Sequence, residues 1–307
     1  MTAVLPSPGP AGSTAPVRRP RRRPLRLVPL APAVLLMAVF LLGPIVWSLY
    51  GSMTNTALTG PRAADPQFIG LDNYSTLLSS SEFWSSVLLT VVFVLASAVV
   101  GQNVLGMTLA VLTREAHRPV ATAVSALVVT AWVLPEIVAA FAMWAFFSTE
   151  GTLNVVLEAI GLAGPTWLIT FPMLVVILAN VWRGTAFSMM VYSAALAAIP
   201  PELIEAAKID GAGPWQRFVR VTVPLVRRSI STNLMLITLQ TLSVFTLIWV
   251  MTTGGPAGRS STLPILAYRE AFQFSQVGYG TAIATVTLLV GAVFAVVYIK
   301  VLKPEVD

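Results

Sequence analysis

The 307 residues are 56% hydrophobic and 10% charged, with a mean hydropathy of +0.81; a soluble domain carries roughly a quarter charged residues, so the chain reads as an integral membrane protein. There is no cysteine and one histidine, His117, which excludes disulfides, thiolate metal sites, thiol catalysis, a histidine metal cluster and a Ser-His triad. The net charge of +6 and pI near 10.1 must be judged by where the basic residues fall before nucleic acid is invoked.

Residues 1–26 are rich in Pro, Ala and Arg and nearly free of large apolar side chains, the composition of a disordered basic tail. Their paired arginines resemble a twin-arginine signal. The apolar run that follows is too long for one, however, and no small-residue cleavage site succeeds it, so it reads as an uncleaved first helix. Six apolar windows predict membrane helices: Leu27–Tyr50, Phe83–Leu112, Val120–Phe147, Phe171–Ile199, Ile230–Met251 and Val277–Val301. Counted alternately, one side of the membrane holds Arg18, Arg19, Arg21, Arg22, Arg23, Arg26, Arg114, Arg118, Lys208, Arg217, Arg220, Arg227, Arg228, Lys300 and Lys303. The other holds only Arg62, Arg259 and Arg269. This asymmetry predicts cytoplasmic termini, with residues 303–307 a short cytoplasmic tail, and accounts for the basic charge without nucleic acid. The outer segments, around Asn73, Asn154 and Pro256, are too short to fold alone as binding domains.

Between the fourth and fifth windows lies the most charged stretch of the second half, "PPELIEAAKIDGAGPWQRFVRVTVP". Pro200-Pro201 should end the preceding span, and Pro201 suits the first position of a new helix. Glu202 and Glu205 fall in its first turns, where acidic groups complement the helix dipole. Gly211 is a natural left-handed stop. Leu203, Ala206, Ala207 and Asp210 share one side of that helix. "PWQRFVRV" then predicts a second short helix, with Pro224 opening the next span. A helix of this kind is either an interfacial helix lying on lipid or a handle for another protein. Its net acidic, alanine-centred face favours the handle, because interfacial helices display Lys and Arg beside large apolar groups.

The same stretch resembles the EAA loop of binding-protein-dependent ABC importer permeases: Glu-Ala-Ala, three residues, Gly, nine residues, Ile, any residue, Leu, Pro. Here the positions are Glu205-Ala206-Ala207, Gly211, Val221, Val223 and Pro224, with valine for the isoleucine and leucine. "MTTGGPAGRSSTLPILAY" is similar to the Thr-Gly-Gly-Gly-Pro stretch of the maltose/glycerol-3-phosphate sugar subfamily, with Thr253 where one glycine is usual. "GTLNVVLEAIGL" and "PTWL" resemble its loop after the third span. The resemblance covers nearly all of residues 27–302. It implies an all-α integral membrane protein with six transmembrane helices of the type I importer permease fold. The segment 200–224 would be its cytoplasmic coupling loop, in which Glu202, Glu205, Ala206, Ala207, Asp210 and Gly211 meet the ATPase. It further implies a second homologous permease, two copies of a cytoplasmic ATPase carrying ATP and Mg, and an extracytoplasmic sugar-binding protein or lipoprotein. The home of such a complex is a bacterial plasma membrane. No GxxxxGK[ST] phosphate loop is present in the chain, so no cofactor is expected on it. Trehalose is the substrate favoured by the resemblance, with maltose-type oligosaccharides and glycerol-3-phosphate as alternatives.

Charged groups at membrane depth face a cavity or a partner, which singles out Glu136 in "WVLPEIVAA" and Arg183 in "NVWRGTAF". Each is either a polar wall for a sugar or half of a structural ion pair. Sugars need hydrogen bonds plus aromatic faces, and the spans flanking the charged loop offer both. The fourth offers Asn180, Trp182, Gly184 and Phe187, and the fifth Gln240 and Thr241; the resemblance to maltose-importer relatives, whose sugar contacts fall on these two spans, implies Trp182, Arg183, Gly184, Phe187, Gln240, Thr241 and Val244. Any of these can equally be helix-packing glue, the role expected of Gln102 and Asn103. A gradient-driven secondary transporter is a competing class, disfavoured because only one carboxylate sits at mid-membrane and no internal repeat is visible. A membrane enzyme lacks any nucleophile–base constellation.

Overall fold

A computed structural model describes residues 30–302; both expected tails, 1–26 and 303–307, lie outside the described residues. Contacts divide the chain into two units, Met1–Val46 and Trp47–Asp307. In the first, the helical residues Ala31–Met37 and Ala38–Leu42 carry no buried side chain, as expected of an apolar segment whose solvent is lipid. The second holds the rest of the helices. Among the described residues the only β feature is an isolated bridge, Thr54 to Phe68.

Four helices are long and apolar enough to cross a membrane unbroken: α1 (Ala31–Ser52), α2 (Ser81–Glu115), α5 (Pro172–Ala197) and α10 (Val277–Leu302). Two more spans are bent pairs. The third expected span is α3 (Arg118–Val133) followed by α4 (Glu136–Phe147), with a bend of 108° between Arg118–Val133 and Glu136–Ala159. Proline 135 causes this break. It pushes the preceding residue out of the helical region, and Leu134 sits at φ −57°, ψ 137°. After the short helix α6 (Pro201–Ile209), the fifth span is α7 (Pro214–Leu242) and α8 (Thr246–Thr252), bent by 49°, and a short helix α9 (Leu263–Tyr268) follows it. The third span, expected over Val120–Phe147, thus breaks at Pro135, where that proline is expected to kink it, and the single fifth helix expected over Ile230–Met251 is corrected to a bent pair.

A second correction concerns Pro224. It was expected to open a span after a separate short helix, but α7 runs unbroken from Pro214 through it to Leu242. A proline ring clashes with the carbonyl four residues earlier. Here a wide π turn over Phe218–Thr222 falls at that carbonyl and loosens the ladder where the clash would occur.

Close backbone approach holds α2 to α5. A Cβ on Gly106 would lie 2.4 Å from the Cβ of Ser188, and one on Gly184 would lie 2.3 Å from the carboxamide of Gln102. In lipid there is no hydrophobic drive between helices, so such small-residue seams supply the packing. Around the seam sit two apolar clusters. Phe93, Val175, Val176, Leu247 and Ile248 form one, joining α2, α5 and α8. Met189, Tyr192, Leu196 and Val226 form the other, joining α5 to α7 near α6.

Candidate coupling helix and translocation site

Helix α6 begins at Pro201 behind Pro200 in extended conformation (φ −56°, ψ 130°), with Glu202 in its first turn. It ends in a Schellman closure: Gly211 takes φ +78°, its N–H donates to Lys208 O at 3.1 Å, and Ala212 N–H donates to Ala207 O at 3.0 Å. The helix rests on Ile204, which packs against the Met189–Tyr192–Leu196 cluster. Of the expected coupling residues, Glu202, Glu205, Ala206, Asp210 and Gly211 are exposed and Ala207 is half-buried. Two neighbours that the sequence reading passed over stand out further. Ile209 is 87% exposed and Trp215, opening α7, is 74% exposed. The signal was present in sequence, since Ile209 falls on the face opposite Ile204, but the charged residues around it drew the weight.

Within the spans, Glu136 is the first residue of α4 and half-buried. Its Oε1 accepts from the backbone N–H of Leu247 at 3.2 Å. Leu247 is in the first turn of α8, whose own capping position, Phe245, provides no side-chain cap. A carboxylate there satisfies an orphan amide and complements the positive helix end. The two broken spans therefore meet, and the acid of one closes the other. Arg183 is half-buried, with its Nε enclosed and without a partner, and it does not pair with Glu136.

The remaining expected pathway residues divide by exposure. Trp182 is 36% exposed, Gln240 is exposed, and Phe187 and Val244 are half-buried. The ring of Phe187 lies 6.2 Å from that of Trp132 on α3. Asn180 and Thr241 are buried: Asn180 Nδ2 donates to Ser97 Oγ at 2.9 Å and reaches Thr241 Oγ1 at 3.5 Å. Gln102 Nε2 donates to Asn180 O at 3.1 Å and fills the space that Gly184 leaves open. In this conformation Asn180, Thr241 and Gly184 are thus occupied in joining α2, α5 and α7. A second buried network ties the same helices together nearer α6. Asn233 Nδ2 lies 3.0 Å from each of Asn103 Oδ1, Ser188 Oγ and Tyr192 OH, and Tyr192 OH donates to Asn103 Oδ1.

From the second half of the fifth span, an aromatic series runs from Phe245 to Trp249 (5.7 Å, stacked) and on to Tyr268, 4.7 Å from Trp249 and 5.1 Å from Phe272. Beside it, Arg269 pairs with Glu82 at 3.0 Å and lies over Phe274 at 5.7 Å. Glu270 is buried at 9% exposure. Burial, reinforced by the Glu82 carboxylate, raises its pKa, and Arg269 offsets part of that rise.

Residues 102–307 match the family described as binding-protein-dependent transport system inner membrane component. The chain is 32% identical over 280 residues to the trehalose/maltose transport system permease protein MalF of Thermococcus litoralis, covering 90% of this chain and 92% of that protein. It is 31% identical over 287 residues to the trehalose transport system permease protein SugA of Mycobacterium tuberculosis, covering 92% and 90%. In fold it matches a chain of the bacterial ABC transporter that imports the acidic polysaccharide alginate, with TM-score 0.77, 23% identity, and coverage of 92% and 96%. The helical fold with its bent spans, the family match along two thirds of the chain and the relatives agree, and the chain belongs to the binding-protein-dependent transport system inner membrane components, as a non-catalytic, multi-pass permease subunit of an ABC transporter.

Proposed function

We propose that α6 is the coupling helix of this permease, seated on a cytoplasmic ATPase through Glu205, Ala206, Asp210 and the bare Ile209, with Glu202 and Ala207 shaping its two ends. The observation that carries this reading is the combination of a Schellman stop at Gly211 with an outward face that is both acidic and apolar. That face suits a protein groove better than an anionic lipid surface. Closing of the ATPase pair on ATP would pull the coupling helices of two permeases together and switch the pathway from inward- to outward-facing. ATP and Mg belong to two partner ATPase copies, and a second homologous permease completes the pathway. An extracytoplasmic sugar-binding protein, soluble or lipid-anchored, delivers the sugar. Both termini lie in the cytoplasm, as the distribution of Lys and Arg argues.

The pathway wall on this chain is formed by Trp182, Arg183, Phe187, Gln240 and Val244, which retain exposure. Glu136, Asn180, Gly184 and Thr241 stand behind them. Trehalose is the substrate, a reading supported by two relatives whose names include it; one of those names also carries maltose, which makes maltose-type sugars the second reading. ATP hydrolysis by the four-component complex in liposomes, with the binding protein loaded in turn with trehalose, maltose and glycerol-3-phosphate, tests both layers. Stimulation by trehalose alone supports the whole reading. Stimulation by another sugar keeps the coupling and replaces the substrate. No stimulation from an assembled complex overturns the coupling role.

A further inference from the structure

Between the end of α2, the coupling helix and the start of α7 lies a cavity of about 660 Å³. Three cations line it: Arg114 from the last turn of α2, Lys208 from α6 and Arg217 from α7, against one carboxylate, Glu115. None of the three cations makes an ion pair among the described residues. Against the single carboxylate, the lining is left with a net positive charge. The floor is apolar, built from Met107, Val111 and Ile204. At the rim Trp215 is 74% exposed, its ring 5.8 Å from that of Phe218, an arrangement typical of an aromatic anchor at headgroup level.

We propose that this cavity is a binding site for an anionic phospholipid of the cytoplasmic leaflet. The headgroup phosphate would lie among Arg114, Lys208 and Arg217, and an acyl chain would cover the apolar floor. A free anion would satisfy the cations and leave the floor wet, whereas a zwitterionic lipid would cover the floor and bring no net charge. Basic cavities between membrane helices on the cytoplasmic side have the chemistry to hold acidic headgroups. Because one wall is the coupling helix itself, an occupied site would brace α6 against α2. The inference rests on α6 facing the cytoplasm, as proposed above.

The test is a titration of the delipidated, purified importer complex with dioctanoyl-phosphatidylglycerol, read as a rise in Tm. The comparisons are dioctanoyl-phosphatidylcholine, inorganic phosphate and the variant Arg114→Gln/Arg217→Gln. Each basic residue near an anionic headgroup is worth about fivefold in affinity, so the double variant should bind phosphatidylglycerol roughly twenty-five-fold more weakly. Phosphatidylcholine should give little shift with either protein. Equal phosphatidylglycerol affinity in wild type and variant overturns the proposal, as does equal response to phosphatidylcholine. Displacement of the lipid by millimolar phosphate assigns the cavity to a free anion instead. ATPase retention is measured on the same samples. A variant that loses the ATPase while keeping its lipid affinity assigns the cavity to the ATPase dock and overturns the lipid. Failure of the coupling reading shows separately, as wild-type complex lacking ATPase. Should the double variant not elute intact, the single Arg114→Gln must weaken binding about fivefold while Arg114→Lys/Arg217→Lys preserves it.

Discussion

The carboxylate of Glu136, at the start of α4, accepts a hydrogen bond from the backbone N–H of Leu247 at 3.2 Å, so the second half of one broken span is capped by the second half of another. The capped amide lies at a break where neither lipid nor a local side chain can satisfy it. An unpaired amide at membrane depth costs several kcal/mol if nothing reaches it.

Replacing Glu136 therefore tests a helix cap before it tests a sugar contact. Glu136→Ala should destabilise the complex by about 2–4 kcal/mol, because the Leu247 amide is then left unpaired at membrane depth, and Glu136→Gln, which keeps an acceptor, by less. Thermal unfolding of the purified complex reads both. If Glu136→Ala unfolds like wild type yet loses sugar-stimulated ATP hydrolysis, the carboxylate acts on the pathway instead.

This pair also marks where the sequence ceased to be legible. The spans announce themselves through their apolar runs, and the break in the third could be read from Pro135, which forbids helix at Leu134. The break at Ser243–Phe245 has no proline or glycine. Its amide is satisfied by a residue more than a hundred positions earlier, which no local pattern reports. Arg183 and Asn180 likewise carry one signature in sequence, polar groups within a span, and different fates in the fold: Asn180 is spent on Ser97 and Gln102, while Arg183 keeps an unpartnered Nε. The bounds of α6 were readable nearly to the residue because caps and stops are local, through Pro201 and Gly211.

Glycine 211 can be tested apart from packing, because a Cβ there would meet no atom within 4 Å. Gly211→Ala should then cost only the left-handed backbone, about 1–2 kcal/mol, and Gly211→Asn less. Paired with Glu205→Lys, it separates shape from charge. Glu205→Lys should insert and assemble the permease pair but abolish uptake, whereas Gly211→Asn should transport near the wild-type rate. Full uptake by Glu205→Lys would remove that residue from the ATPase contact.

At Gly106 the position is reversed, since a methyl group would sit 2.4 Å from the Cβ of Ser188 and 3.0 Å from Met189 N. Backbone cannot yield as a flexible side chain does. Gly106→Ala should separate α2 from α5 and cost about 1–3 kcal/mol, read as a lowered Tm with loss of the partner permease on purification. A variant that unfolds like wild type would mean the two helices do not pack this closely.

Gln240 is exposed on α7 while its neighbour Thr241 is buried. Gln240→Ala should leave assembly and Tm intact and change the rate or preference among trehalose, maltose and glycerol-3-phosphate in the liposome assay. A buried hydrogen bond to a sugar hydroxyl is worth about 1 kcal/mol, so a change of roughly fivefold in apparent affinity is expected. An unchanged profile would take Gln240 out of the pathway and leave Trp182 and Arg183 as its polar wall.

The pH response turns on Glu270, between α8 and α10 and outside the spans. Its pKa is raised, first by burial and then by Glu82, against the opposing charge of Arg269. A carboxyl whose folded pKa lies above its unfolded value binds more protons when folded. Its favourable contribution is therefore complete in acid and is lost as pH rises through the folded value. Wild-type complex should accordingly lose stability as pH rises above the ordinary glutamate range through the raised folded value, and Glu270→Gln, neutral throughout, should flatten that part of the curve and raise Tm at pH 7.5. The same substitution leaves the Arg269–Glu82 pair in place, so a drop in Tm at pH 7.5 would mean that Arg269 favours the charged carboxylate more strongly than burial and Glu82 oppose it, reversing the sign.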